Sequence, residues 1–559
     1  MQAVLCALNA KYVHTNPAVR YIKAYADKHV PEVACHIVEE TIHTPAEDVL
    51  KKIYEKNPQM VAFSCYIWNI GEVLSLCETI RREKPKITIV LGGPEVSFNP
   101  ERYLARDDVD FVQRGEGEKP MSALFAALAT NTEIPEGFGI CYRKNGEIVL
   151  DSLYTEPDLD SLESPYTEEY LRTVSGRLAY FESSRGCPFS CAFCLSGGCR
   201  GVRYFDMDYV KQNLLLLWDS GVRTVKFVDR TFNSDRKRAD EMISFILEHA
   251  PHKPKVCFHF EVAADILQDS TLELLSKAPE GLFQIEAGIQ SFNETTLAAV
   301  TRKNSLEKVC KNVEKVLAFQ NIHTHIDLIA GLPYEDFQSF RDSFHKAYSI
   351  GAHMLQLGFL KLLYGSRLRE EQEAHGFVCE EKAPYTVQST KWLTAQEMNR
   401  IHNVEDANEK IYNSHRFETS LEYVLDSTGI PPFDLFEGFG MQESMPLDAY
   451  TNRLFAYFST LPGVDKTVLR DKMCQDRMKT NNSGKLPESL KIKDDRLGDI
   501  AHFLDLSRPK NVKRAVCILY SENRVVYADY TKGDTSPYAL HYEDLETVLK
   551  LAEAEKRRT

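Results

Sequence analysis

No apolar run in the 559-residue chain approaches the roughly 20 residues a bilayer-crossing helix needs, so no membrane span is expected. The N-terminus, Met1-Gln-Ala-Val-Leu-Cys-Ala-Leu8, lacks the basic segment that opens a secretory signal and reads as a buried first strand. Positive charge is in deficit. Against 81 Asp and Glu stand 67 Lys and Arg, a formal net charge of −14, which disfavours broad binding to nucleic acid or an anionic membrane. A local basic patch for a single modified tRNA base stays open. Low-complexity tracts and repeats of fixed period are missing too, which leaves three or four ordinary globular domains as the prior. Cysteine is not scarce. Fourteen are scattered through the chain, many inside apolar segments (Cys6, Cys65, Cys77, Cys257, Cys310, Cys517), as small core side chains in a reducing, cytoplasmic setting would be.

Three thiols stand apart from these. In Glu182-Ser-Ser-Arg-Gly-Cys-Pro-Phe-Ser-Cys-Ala-Phe-Cys-Leu-Ser-Gly-Gly198, Cys187, Cys191 and Cys194 follow a CxxxCxxC spacing. Three thiolates on one loop can hold three irons of a 4Fe–4S cubane and leave the fourth open. A structural zinc site wants four closed ligands; no CxxC or HxxxH partner lies close, and Cys199 is the thiol that could complete one. A disulfide is a third reading, disfavoured without a secretory signal. The loop resembles the signature of the radical S-adenosylmethionine (SAM) superfamily, including the aromatic Phe193 before the last Cys. The resemblance implies that the open iron chelates the amino and carboxylate groups of SAM. One electron, from an external flavodoxin- or ferredoxin-type donor, would then cleave the sulfonium to a 5′-deoxyadenosyl radical.

Residues 1–131 alternate apolar β-type runs (Ala3–Leu8, Ala34–Val38, Met60–Cys65, Ile87–Leu91, Val109–Val112) with helical patterns. Continuous apolar runs between helices predict a parallel, doubly wound sheet, Rossmann-like, with its ligand over the C-terminal strand ends. Unusual residues collect at those ends: Tyr66-Ile-Trp68-Asn69, Gly92-Gly93-Pro94-Glu95 and Arg114-Gly115-Glu116-Gly117-Glu118. Plain turn chemistry explains any one such loop. Together they resemble the cobalamin-binding domain that precedes the barrel in cobalamin-dependent radical SAM proteins, and Tyr66, Trp68, Asn69, Gly92, Gly93, Pro94, Glu95, Gly115, Glu116, Gly117 and Glu118 become the expected cobalamin contacts. The DxHxxG loop of many cobalamin domains is absent; the chain has Asn9-Ala-Lys-Tyr-Val-His14-Thr-Asn-Pro17 instead. The expectation is cobalt without a protein imidazole below it, with Tyr66, Trp68 or Asn69 as a shield. His14 is then a cap on its loop or a group facing the neighbouring domain.

Residues 132–172 read as a linker with a hairpin turning at Asn145-Gly146. Residues 173–400 return to β/α alternation and predict a partial (β/α)6 TIM-type barrel with reacting groups at the C-terminal strand ends. There stand Asp229, Glu261, Ile285-Glu286-Ala-Gly-Ile-Gln290-Ser291 and Asp327-Leu328-Ile-Ala-Gly331-Leu-Pro333. The third of these resembles the IExGxQS segment of the coproporphyrinogen-oxidase-like and methylthiotransferase-like branch. That resemblance implies SAM contacts from Glu286 and Gln290 and an adenine floor at Leu328, Gly331 and Pro333. The family's Gly-Gly-Glu after the second strand is missing, and Asp229 is the nearest substitute for holding the amino group, with Glu261 at the right level for SAM or substrate. Each carboxylate could instead cap a helix or pair with a lysine. Arg302 is a candidate for the SAM carboxylate or an exposed helix-end residue. His323 and His325 share one strand face but lack a third metal ligand.

Residues 401–559 read as mostly helical, and the layout resembles an accessory domain of unknown function appended to one subgroup of these proteins. Taken together, the expected activity is methyl transfer to an unactivated carbon of a small, natural-product-like substrate. The alternatives are a non-methylating radical rearrangement and a cobalamin or cluster sensor without turnover.

Overall fold

The computed structural model describes residues 1–198, 201–533 and 535–557. Cys199, weighed above as a zinc ligand, lies outside them. The chain forms two compact units: Met1–Phe340 with Ile350–Ala352 and Gly358–Thr394, and Arg341–Ser349 with His353–Leu357 and Ala395–Thr559.

In the first unit, β1 (Gln2–Asn9), β2 (Ala34–Thr41), β3 (Met60–Ser64), β4 (Thr88–Gly92), β5 (Phe111–Gln113), β6 (Ile140–Lys144) and β7 (Glu147–Val149) form one sheet of order 2-1-3-4-5-6-7. The first five are parallel. Alternate residues of β1 feed opposite cores: Val4, Cys6 and Leu8 pack with Val73, Leu76 and Ile80, whereas Ala3, Leu5 and Ala7 pack with Val19, Leu124 and Phe125. Burial on both faces is why these strands read as continuous apolar runs. Strand order reverses between β1 and β3, which makes the loops after them the edge of the switch-point crevice. The hairpin expected in the connection is not free-standing. Its first strand pairs antiparallel with β5, Gln113 opposite Ile140, and extends the sheet.

The second sheet holds β8 (Leu178–Phe181), β11, β12, β13, β14 and β15; the cluster loop leaves β8 through a separate ribbon of β9 (Ser184–Gly186) and β10 (Val202–Tyr204). The remaining strands are β11 (Thr224–Phe227), β12 (Cys257–Val262), β13 (Phe283–Gln290), β14 (His323–Ala330) and β15 (Met354–Phe359), in spatial order 15-14-13-12-11-8. Parallel pairing runs from β8 to β14, with helices between successive strands. This is the partial barrel the β/α alternation predicts. Along β13, Phe283, Ile285, Ala287 and Ile289 are buried, whereas Gln284, Glu286, Gly288 and Gln290 point to the opposite, lumenal face. A short ribbon of β16 (Val378–Cys379) and β17 (Val387–Ser389) follows.

The second unit is mostly helical with one small sheet. Its strands β18 (Lys513–Leu519) and β19 (Arg524–Tyr530) pair antiparallel, and a third, β20 (His541–Asp544), pairs with β19 ahead of the terminal helix. Its central helix, Lys466–Thr480, is buried on nearly every side although Arg470, Asp471, Gln475, Asp476 and Arg477 lie within it. Each charge closes another segment's end. Asp476 accepts Thr419 N (3.0 Å) and Ser420 N (2.9 Å) at the start of helix Glu418–Thr428, and Asp471 accepts Ser521 N (2.7 Å) at the β18–β19 turn. Arg470 Nε donates to the Leu490 carbonyl at 2.9 Å. Phe433 and Phe436 are wholly buried core residues here. Among the described residues, no helix is long and apolar enough to cross a membrane.

Candidate functional site

The cluster loop is the connection of the β9–β10 ribbon. Gly186 (φ +98°) is required there, because a Cβ would run into the Gly201 carbonyl oxygen. Inside the loop Cys194 N donates to Cys191 O and Gly197 N to Cys194 O, both at 3.1 Å. Ala192 N reaches Val300 O (3.0 Å), and Ala192 packs with Val300, Leu332, Leu360 and Leu362, with Phe193 against the same cluster. The Cys191 Sγ accepts Arg302 Nη1 at 3.7 Å, and the Cys187 Sγ lies 3.5 Å from Thr231 Oγ1. Burial pushes the Cys191 thiol up, the Arg302 guanidinium opposes the rise, and the thiols of Cys194 and Cys187 add to it. Among the described residues no three His, Cys, Asp or Glu side chains converge to cage a single ion. A cubane asks for something else, one thiolate per iron on a compact loop. This donor set fits it.

Asp229 lies beneath the loop, not in front of it. Its carboxylate accepts Ser183 N (2.9 Å), the Ser183 hydroxyl and Ser184 Oγ (2.6 Å). Burial pushes its pKa up against those donors. Expected to hold an amino group, it anchors instead the two residues that lead into the thiols.

The lumen of the barrel is polar where such barrels ordinarily pack branched apolar side chains. Strand register sets Lys226 beside His259, Glu261 beside Glu286, Glu286 beside His325 and Gly288 beside Asp327. Glu286 accepts His259 Nε2 (3.0 Å) and Lys226 Nζ (3.4 Å); burial opposes ionisation, yet these partners bring it down to about 2. Glu261 has Lys226 4.0 Å away and no hydrogen bond, and burial, then Glu286, raise its pKa. Asp327 is pushed up to about 7 by burial and by the Glu286 and Glu261 carboxylates; its buried Oδ1 has no partner. Arg302 donates to the Gly288 carbonyl and to Cys191, while its Nε and both polar atoms of Asn304 are buried without partners. Gln290 takes a left-handed backbone (φ +74°) at a bulge, folding its amide over Gly288, where a Cβ would collide with it. Buried polar atoms without partners are costly, and those of Arg302, which touches Cys191, and of Asp327, within reach of the Arg302 charge, fit a polar ligand such as SAM. Leu328, Gly331 and Pro333 are buried at the end of β14, with Gly331 at φ +91°.

On the N-terminal domain the expected contacts divide. Tyr66 and Trp68 stack face to face (centroids 4.2 Å apart, 11°), and Trp68 stays 45% exposed at the switch-point edge, a surface suited to a broad flat ligand. Asn69 is buried, donating to Leu8 O (3.1 Å) and Ser64 O (2.9 Å) and so tying the two switch-point loops together. Gly92 and Gly93 end β4, and Gly93 (φ +114°) has no room for a Cβ against the Cys65 backbone; Pro94 opens the short helix Pro94–Ser97. Three carboxylates have protein partners: Glu95 accepts Tyr103 Oη (2.8 Å) and Tyr385 Oη, while Glu116 and Glu118 accept Arg185 of the β9–β10 ribbon. His14 faces the neighbouring domain, its Nδ1 2.9 Å from Tyr180 Oη, and burial, then Lys11, Lys226 and Arg177, lower its pKa. Gly117 precedes helix Glu118–Thr130. Gly115 (φ +89°) bridges to Tyr154, and a Cβ would strike the Tyr154 carbonyl. Gly115→Ala is therefore expected to cost at least about 2 kcal/mol, visible as a lower thermal midpoint by scanning fluorimetry.

Sequence reasoning missed Arg185, Arg203, Lys226, His259 and Asn304. The signal for Lys226 and His259 was parity, a polar residue at the lumenal position of an otherwise apolar strand.

A thiol loop at the mouth of a partial barrel, preceded by a doubly wound domain with an aromatic switch-point edge, defines a class: the chain carries a B12-binding domain ahead of a radical SAM domain. The B12 binding domain family matches residues 4–125, the Radical SAM superfamily residues 181–347, and a protein family of unknown function (DUF4080) residues 373–516. Among curated relatives, the chain is 26% identical over 381 residues to the cobalamin-dependent radical SAM methyltransferase TokK of Streptomyces tokunonensis (61% of this chain, 52% of TokK). It is 27% identical over 332 residues to the 2-(S-pantetheinyl)-carbapenam-3-carboxylate methyltransferase of Streptantibioticus cattleyicolor (53% of this chain, 46% of that protein). The chain spans about half the length of these relatives. Among solved structures, the cobalamin-dependent SAM radical enzyme OxsB with aqua-cobalamin bound superposes with a TM-score of 0.61 at 14% identity, over 99% of this chain and 84% of that one. The radical SAM methyltransferase TsrM from Kitasatospora setae gives 0.55 at 17% identity, over 68% and 76%. At these identities the likeness is one of fold.

Proposed function

We propose that this chain is a cytoplasmic, cobalamin-dependent radical SAM enzyme that methylates an unactivated carbon of a small, natural-product-like molecule, fed by a flavodoxin- or ferredoxin-type donor. The observation that carries the reading is a half-satisfied Arg302, which touches the Cys191 thiol with one nitrogen, leaves its buried Nε without a partner and acts on the partnerless Asp327 Oδ1. When bound, the cluster and SAM supply a radical able to take hydrogen from carbon, and cobalamin supplies the methyl group. The residues' own work is holding and shielding. Cys187, Cys191 and Cys194 ligate three irons; Arg302 meets the SAM carboxylate, Glu261 its amino group, and Asp327, Gln290 and Glu286 its ribose. Phe193 and the Leu328–Pro333 turn floor the adenine. The loops at Tyr66–Asn69, Gly92–Pro94 and Gly115–Gly117 would edge the cobalamin site, where the Tyr66–Trp68 stack would shield the cofactor while His14 stays on Tyr180. We assign residues 1–131 to the cobalamin domain, 132–172 to the connection, 173–400 to the barrel and 401–559 to the accessory domain.

Anaerobic protein reconstituted with iron, sulfide and hydroxocobalamin, then given SAM and reductant, is expected to release 5′-deoxyadenosine and, with its substrate, a product heavier by one CH2. Absence of 5′-deoxyadenosine overturns the reading. A second reading has one observation in its favour: the chain is also 26% identical over 276 residues to the anaerobic magnesium-protoporphyrin IX monomethyl ester cyclase of a Synechocystis species. A product without the CH2 gain would select a non-methylating reaction.

The pKa of Asp327 adds a test by pH. Below about pH 7 its carboxyl is neutral and above it anionic, while the SAM sulfonium stays cationic at either pH. SAM affinity is therefore expected to tighten several-fold from pH 6 to pH 8, by equilibrium dialysis, and Asp327→Asn to flatten that dependence.

A further inference from the structure

The cluster loop hangs from a ribbon only three residues long on each side, and two arginines face each other across it, Arg185 opposite Arg203. Two-stranded ribbons are marginal on their own, and like charges placed directly opposite weaken the pairing further. The offsetting charge comes from the N-terminal domain. Glu116, three residues past β5, brings Oε2 to 3.0 Å from Arg185 Nη1 and 3.1 Å from Arg203 Nη1, and its Oε1 accepts Arg203 Nη2. Glu118 accepts Arg185 Nη2 at 2.6 Å, and Glu182 accepts Arg185 Nε and Nη2 at 3.1 and 3.0 Å. Arg203 also donates to the Glu156 carbonyl. The Arg185 and Glu118 side chains are 11% and 7% exposed, whereas Arg203 and Glu116 are 25% and 21% exposed, so water and salt screen the Arg185 side least. Glu116 is itself held, its N–H on Tyr154 O (3.1 Å) and its Oε2 accepting Glu156 N (3.1 Å).

The geometry points to Glu116 as a positioning residue for the cluster, acting across the domain boundary as the counter-charge without which Arg185 and Arg203 push apart the stem that carries Cys187, Cys191 and Cys194. Among the described residues, Glu116 is the one carboxylate that touches both arginines. Arg185 keeps Glu118 and Glu182 when Glu116 is neutralised, whereas Arg203 keeps no carboxylate among the described residues, so the repulsion falls on β10. Because Glu116 shares its loop with Gly115, the cobalamin domain also holds the entrance to the thiol loop. The inference rests on the proposed function to the extent that the thiols bind a cluster.

An ordinary interface ion pair and a counter-charge differ in what a second substitution does. If the pair is merely adhesive, removing Arg203 from a protein already lacking the Glu116 charge brings no recovery; if Glu116 is a counter-charge, it restores the ribbon. Wild-type protein, Glu116→Gln, Arg203→Gln and the double variant are reconstituted anaerobically at full length, and the rate at which bathophenanthroline strips iron is followed by absorbance, with the EPR spectrum of the reduced cluster alongside. Glu116→Gln is expected to lose iron at least five-fold faster than wild type, and Arg203→Gln and the double variant to stay within two-fold of it, with the EPR line shape restored in the double. A Glu116→Gln protein as slow as wild type, or a double variant as labile as the single, overturns the assignment. Should Glu116→Gln not fold, recovery of a folded, cluster-bearing double variant still supports it, and two unfolded variants overturn it. If wild type takes up no cluster, the proposed function fails first and this inference with it.

Discussion

Cys191→Ala protein, reconstituted and reduced in the presence of SAM, is expected to release no more 5′-deoxyadenosine than a protein-free control, and to hold well under the roughly four irons per chain of a full cubane. Cys191 carries the largest expected effect because it is the most enclosed of the three thiols and the one that Arg302 touches. Its loss removes a ligand and also frees the guanidinium that bridges the loop to the Gly288 carbonyl on β13. Chromatographic quantitation of the nucleoside and colorimetric iron analysis check the two halves separately. Retained cleavage with Cys191 replaced would remove this thiol from the ligand set.

Asp229→Ala is expected to damage stability more than any other single change near the site. The substitution leaves the Ser183 N–H and two serine hydroxyls facing a buried cavity. At about 1–3 kcal/mol for each buried group left without a partner, a total loss of about 3–5 kcal/mol is the expected scale. Urea denaturation of the cluster-free protein measures it. Asp229→Asn should fall between, since its carbonyl oxygen still accepts but its amide opposes the third donor. An alanine variant as stable as wild type would mean that the Ser183–Ser184 turn is not held from below.

Much of this architecture could be read from the chain. Continuous apolar runs gave away the parallel strands because both faces of that sheet are covered, and the thiol spacing is informative because three metal-binding side chains within eight residues leave few alternatives. The carboxylates of Arg114-Gly-Glu-Gly-Glu118 were harder. A glutamate between glycines looks the same whether it meets a ligand or a guanidinium, and Arg185 is 69 residues from Glu116. Glu95 hid its partner further still, 290 residues away at Tyr385. Asp229 stands at a strand end that the alternation marks, but its bonds to Ser183 and Ser184 were not legible, since position along a strand does not tell which donors its neighbour offers. The hairpin at Asn145-Gly146 was legible as a turn, but pairing of β6 with β5 depends on an exposed sheet edge that local sequence does not encode.

The helix Lys466–Thr480 governs how this protein can be cut. Its Asp471 and Asp476 terminate segments that come later and earlier in the chain, so excising either segment strands a buried carboxylate rather than trimming a surface. A shortened version ending anywhere between that helix and β19 would expose the charge it was meant to leave behind. Because residues 341–349 and 353–357 fold with Ala395–Thr559, a version that spares this helix has to keep those two earlier segments as well.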